Sequence, residues 1–118
     1  HGDLFRDNVR WEGDRVVGIL DWESASDGEL VFDLAVAILA WCYGEDLDRR
    51  LVDQIREGYE ALRPLEPREA AAFGAALREA AVRFTVTRIT DYHLRDAEQV
   101  KQKDWRRFYD RLRAVAAL

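Results

Sequence analysis

His1-Gly2-Asp3-Leu4-Phe5-Arg6-Asp7-Asn8 opens the sequence, and Ile19-Leu20-Asp21-Trp22 follows a short alternating stretch. Between the two, Val9 and Trp11 suit one arm of a hairpin, Glu12-Gly13-Asp14 its turn, and Val16-Val17-Gly18-Ile19-Leu20 the other arm. Such a hairpin returns Asp21 to the loop that holds Asp3 and Asn8. Moving a phosphoryl group from ATP to a hydroxyl requires this kind of convergence. One carboxylate must orient the hydroxyl and accept its proton, while further oxygen ligands hold the metal that neutralises the triphosphate. In that scheme Asp3 is the candidate catalytic base, and Asn8 and Asp21 are the candidate ligands of Mg²⁺, a hard cation that prefers oxygen. His1 is expected to support the loop, because a mechanism with an aspartate as base needs no imidazole.

Helices follow outward from this segment. Residues 22 to 30 are polar and small, and mark a loop. Val31 to Tyr43 is apolar almost all round, interrupted by Asp33, and predicts a central buried helix. An unpaired carboxylate there would be costly, so Asp33 is expected to accept hydrogen bonds from backbone amides of the opening loop. Leu47, Leu51, Ile55 and Tyr59 recur every four residues and predict a second helix that stops before Pro64. A third helix begins near Pro67 with Phe73, Leu77, Ala80 and Phe84 as its inward stripe, which in phase reaches Arg88 and Asp91. Trp105, Phe108, Tyr109, Leu112 and Val115 predict a fourth, with Asp104 as its N-cap. The fold class is mainly α with one β-hairpin.

If the third helix passes from core into a cleft, Arg88 is placed to hold a substrate carboxylate and Asp91 a substrate amine. Arg6 is a further candidate substrate contact. The bland alternative for Arg88 and Asp91 is an internal salt bridge along one helix face. Trp41, Trp105 and Tyr109 stand at helical spacing and read as core. His93 beside Asp91 and Asp96 offers too few ligands for a metal site.

Composition narrows the function classes. With 118 residues and 48% hydrophobic side chains the chain is one domain or part of one. A formal charge of -5 and a pI near 5.1 argue against nucleic-acid binding, which needs clustered cations. The single Cys42 allows no internal disulfide, and no apolar run approaches the roughly 20 residues that span a bilayer. A cytoplasmic protein without membrane partners is expected.

Three motifs carry a family resemblance: His1-Gly2-Asp3 with Asn8, Ile19-Leu20-Asp21-Trp22, and Phe32-Asp33-Leu34-Ala35. In this order and spacing they resemble the aminoglycoside phosphotransferase and choline kinase superfamily, whose fold is protein-kinase-like; Gly2 stands where protein kinases carry Arg. Asp3-Leu4-Phe5-Arg6-Asp7-Asn8-Val9 and Asp33-Leu34-Ala35-Val36-Ala37 leading to Trp41-Cys42 most resemble homoserine kinases of the phosphotransferase type. The resemblance implies a small-molecule kinase that uses ATP and Mg²⁺, with homoserine as acceptor. Aminoglycosides, choline or other amino alcohols are the rival acceptors within the class. A non-catalytic domain binding a metal, nucleotide or partner is the rival outside it. The family also places a nucleotide-binding lobe before the catalytic loop. Residues 1–118 are therefore expected to be the C-terminal, catalytic-loop and substrate-binding lobe, with the N-terminal lobe absent and the isolated chain inactive.

Overall fold

In the computed structural model, residues 1–94 and 104–116 are described. The first residues run as a loop that tightens into a 3-10 turn at Arg6–Asn8 and enters an antiparallel hairpin, β1 (Val9–Glu12) and β2 (Arg15–Ile19). Glu12 pairs with Arg15 both through the strand register and through an ion pair of 3.0 Å, so the turn narrows to Gly13-Asp14. Gly13 sits there at φ +58°, a left-handed backbone that glycine adopts without a Cβ clash. Trp11 pairs with Val16 and Arg10 with Gly18, which leaves Val17 as the extra residue of a bulge. Of the hairpin only Val9 is buried, and Trp11, Val16, Val17, Ile19, Leu20 and Trp22 present apolar surface to solvent.

Four helices follow: α1 (Leu30–Trp41), α2 (Arg49–Glu60), α3 (Pro67–Arg88) and α4 (Arg106–Val115). The architecture is mainly α with one small β element. Helix α1 buries Val31, Leu34, Ala35, Val36, Ile38, Leu39 and Ala40, as its all-round apolar composition demands. Helix α3 lies against both α1 and α4, and buried Ala76, Ala80 and Ala81 let its neighbours approach closely. Leu77 and Phe84 from α3, with Phe108 and Val115 from α4, complete the core.

Local chemistry sets the helix ends. The Asp48 side chain accepts from the amides of Arg50 (2.9 Å) and Leu51 (3.2 Å), so α2 starts after Leu47. The face expected from Leu47, Leu51, Ile55 and Tyr59 is corrected at Leu51, which is exposed, while Val52 takes the buried place. A strict four-residue repeat drifts by about 40° per step on a helix of 3.6 residues per turn, and Val52, Ile55 and Tyr59 hold the core-facing line. At the start of α3, the Glu69 carboxylate accepts from the Glu66 amide (2.8 Å) and from Arg63 (2.9 Å). Glu69 is buried, and the Arg63 guanidinium, with the Glu66 amide, holds its carboxyl below the usual carboxylate range. Before α4 the Asp104 carboxylate accepts from the Arg106 amide at 3.0 Å. Tyr109 on α4 is exposed and touches Trp105 edge-on, not the core, because Phe108 and Arg111 face inward and turn Tyr109 outward.

Cys42 ends α1 with its thiol buried, and burial, with Asp48 nearby, pushes the thiol up to about 11. It is a core side chain. Among the described residues no helix is long and apolar enough to cross a membrane.

Candidate active site

The opening loop is held chiefly through its backbone. Asp33, in the first turn of α1, accepts from the Gly2 amide (2.7 Å) and from the backbone nitrogen of His1 (3.3 Å). Arg83 of α3 donates to the Gly2 carbonyl at 2.7 Å, and the Trp41 indole donates to the Leu4 carbonyl at 2.9 Å. Gly2 itself has φ +73°, and a Cβ there would lie 3.0 Å from the Ser24 carbonyl oxygen. Glycine therefore fits a position where the kinase signature has arginine: the chain is left-handed and closely approached.

His1 joins the two acid-bearing segments. Its Nδ1 accepts from the Asp3 amide (3.2 Å), and its Nε2 then donates to the Leu20 carbonyl (2.8 Å). One neutral imidazole thus ties the backbone of Asp3 to the residue before Asp21. The Trp22 ring packs against it, centroids 4.7 Å apart.

The hairpin brings the backbones of Asn8 and Asp21 near one another. Val9 pairs with Ile19 and the Leu20 amide donates to the Asn8 carbonyl (2.9 Å), so the register brings Asp21 alongside the Asp7-Asn8 end of the loop. Asp21 has φ +59°, a left-handed conformation that aspartate tolerates better than most side chains. Asn8 donates its amide hydrogens to the Asp3 carbonyl at 2.9 Å, which leaves its oxygen as an acceptor or metal ligand. An amide oxygen and a carboxylate suit Mg²⁺, which keeps several waters and takes further oxygens from phosphates. Among the described residues no group of three or more His, Cys, Asp and Glu side chains could hold a metal by itself. Asp96, weighed with His93 as a ligand, lies outside the described residues.

Asp3 and Asp7 line a cleft of about 620 Å³ together with Arg83, Arg88, Asp91 and Arg107. Arg88 is the last residue of α3, and its guanidinium carbon lies 4.2 Å from the centre of the Phe108 ring. Burial first and Arg107 second push its pKa down, against the pull of Tyr92 and Asp3. Asp91 sits in a π-helical turn, Ile89–His93, and accepts from the Thr90 hydroxyl at 3.0 Å. Helix phase thus carries Arg88 and Asp91 to one cleft, as lining groups. Arg6 is placed elsewhere: it donates to the Trp41 carbonyl at 2.9 Å and stacks over that indole, at the α1 side of the loop.

Phe5, Phe84 and Phe108 bind these parts together, with centroid separations of 5.1 Å (Phe5 to Phe84), 5.9 Å (Phe5 to Phe108) and 5.1 Å (Phe84 to Phe108). They join the loop, α3 and α4 around the cleft. Arg83, Arg107 and Arg111 escaped the motif-based reading, because an arginine within a charged helical stretch reads as solvated surface. Arg111 is instead buried between Tyr43 (4.9 Å) and Phe108 (4.2 Å), where burial pushes its pKa down to about 10. Inward phase with Phe108 and Val115 was the available signal.

The profile of the phosphotransferase enzyme family matches residues 1–73. The homoserine kinase of Methylobacterium radiotolerans is 42% identical over 115 residues, which cover 95% of this chain and 36% of that protein. The homoserine kinase of Methylobacillus glycogenes is 38% identical, over 99% of this chain and 38% of its own length. That of Neisseria meningitidis serogroup B is 39% identical, over 85% and 33%. The chain thus spans about a third of the length of the curated relatives it matches.

Proposed function

This chain belongs to the phosphotransferase enzyme family, and on that premise we propose that it carries the catalytic loop and acceptor cleft of an ATP-dependent kinase phosphorylating the hydroxyl of homoserine. One observation carries the proposal. Asp3 lines a cleft that offers both guanidinium and carboxylate groups, and its backbone is bonded to Asn8 directly and, through His1, to Leu20 next to Asp21. An amino acid acceptor presents a carboxylate and an ammonium group, and Arg88 and Asp91 suit these in turn. Its hydroxyl is then directed toward Asp3.

In the reaction, the Asp3 carboxylate accepts the hydroxyl proton as the acceptor oxygen bonds to the γ-phosphorus of ATP, and the bond from that phosphorus to the bridging oxygen breaks to release ADP. Asn8 and Asp21 would hold Mg²⁺, which supplies charge neutralisation on the phosphates. The Asp33, Arg83, Trp41 and His1 contacts fix the loop before substrate arrives, so little reorganisation is needed during transfer.

The complete enzyme in this proposal has a second, nucleotide-covering lobe. Two observations support it: the chain spans about a third of its relatives' length, and the hairpin segment leaves Trp11, Val16, Val17, Ile19, Leu20 and Trp22 exposed. A second acceptor class, amino alcohols or aminoglycosides, is favoured by the four carboxylates of the cleft lining, Asp3, Asp7, Asp91 and Asp104. The full-length protein, assayed with ATP and Mg²⁺ against homoserine, choline, an aminoglycoside and simple amino alcohols, separates these. Turnover with homoserine above the others is expected; preference for a cation without a carboxylate overturns the proposal.

A further inference from the structure

We propose that Arg107 is a specificity-determining residue for the acceptor, closing with Arg88 a two-guanidinium clamp on its carboxylate. This rests on the assignment of an amino acid acceptor to the cleft and adds a residue from a different helix.

Position comes first. Arg107 lies in the first turn of α4, next to Phe108, and successive helical residues point about 100° apart. Phe108 is fully buried and touches Phe5 and Phe84, so α4 is fixed with Arg107 exposed at the cleft lining. Arg88 rests on the same Phe108 ring from α3. Two guanidinium groups from two helices therefore line one cleft with Asp3.

Partners distinguish them from the other cations nearby. Arg6 is committed to the Trp41 carbonyl, Arg83 to the Gly2 carbonyl and Arg106 to Asp104. Among the described residues, neither Arg88 nor Arg107 has a hydrogen-bonding or ion-pair partner. An exposed, unpaired arginine is ordinarily a solvated surface group, but Arg107 adds repulsion to a neighbour already penalised by burial. A bound carboxylate relieves that repulsion and offers two oxygens, one for each planar fork.

The test uses the full-length enzyme and two acceptors that share hydroxyl and amine: homoserine, and 3-aminopropan-1-ol, which lacks the carboxylate. Arg107→Ala is expected to raise the KM for homoserine by about 10- to 100-fold, the loss of a hydrogen bond to a charged group, with the KM for ATP unchanged. Its kcat/KM for 3-aminopropan-1-ol stays at the wild-type value, so the preference for the carboxylate collapses by the same factor. Arg107→Lys, which keeps charge but not the fork, recovers part of it. A purely structural role would lower both acceptors together. If the wild type prefers homoserine and Arg107→Ala keeps that whole preference, this inference is overturned while the proposed function stands. A wild type that ignores homoserine overturns both.

Discussion

The loop around Asp3 and the cleft wall formed by the ends of α3 and α4 are held in opposite ways. The loop has its amides and carbonyls taken one by one: Asp33 on Gly2, Arg83 on the Gly2 carbonyl, Trp41 on the Leu4 carbonyl and Asn8 on the Asp3 carbonyl. On the wall, the Arg88 guanidinium rests on an aromatic ring, and Arg107 has no hydrogen-bonding partner among the described residues. Directional bonds fix the backbone that carries Asp3, whereas a ring face imposes no hydrogen-bond geometry on the guanidinium above it. Under the proposed function, this contrast would assign phosphoryl transfer to the hydrogen-bonded loop and acceptor choice to the arginines of the wall.

Three substitutions in the full-length protein break or sharpen that contrast. Asp3→Asn removes the proposed proton acceptor while keeping the backbone groups that the loop bonds use, and should lower kcat by about 10²- to 10⁴-fold with the acceptor KM little changed. Steady-state kinetics with homoserine check it; a wild-type kcat would remove Asp3 from the reaction. Phe108→Ala takes away the ring on which both regions lean, and should cost about 3–5 kcal/mol of stability, read from denaturant unfolding. A small loss there would mean that loop and wall are coupled by other contacts. Asp33→Ala leaves the Gly2 amide without its acceptor at a cost of about 1–3 kcal/mol. Faster hydrogen exchange of the Gly2 amide and a lower kcat are expected, with α4 protection unchanged. If exchange at Gly2 does not respond, the loop is not pinned in the way its geometry implies.

Legibility in the sequence followed the same line. The hairpin, the buried α1 and the Asp3, Asn8, Asp21 spacing are local features, set by alternation, by an apolar run and by a fixed number of residues between oxygen-bearing side chains. Leu51 and Val52 exchanged places because a four-residue repeat approximates helical phase only over a turn or two. Tyr109 turned outward and Arg111 inward because α4 settles its rotation against Phe5 and Phe84, residues far away in the chain. Arg83 could not be tied to Gly2 by any pattern, since 81 positions separate them.

By itself, the sequence determined the elements, the order of the motifs and the set of oxygen-bearing side chains, since each depends on neighbours within a turn or a hairpin. Tertiary structure alone decided that Arg6 leaves the cleft for Trp41, that His1 ties Asp3 to Leu20, and that Arg107 stands with Arg88. Those outcomes depend on how helices pack, and packing is fixed by the mutual fit of Phe5, Phe84 and Phe108, which no one segment contains.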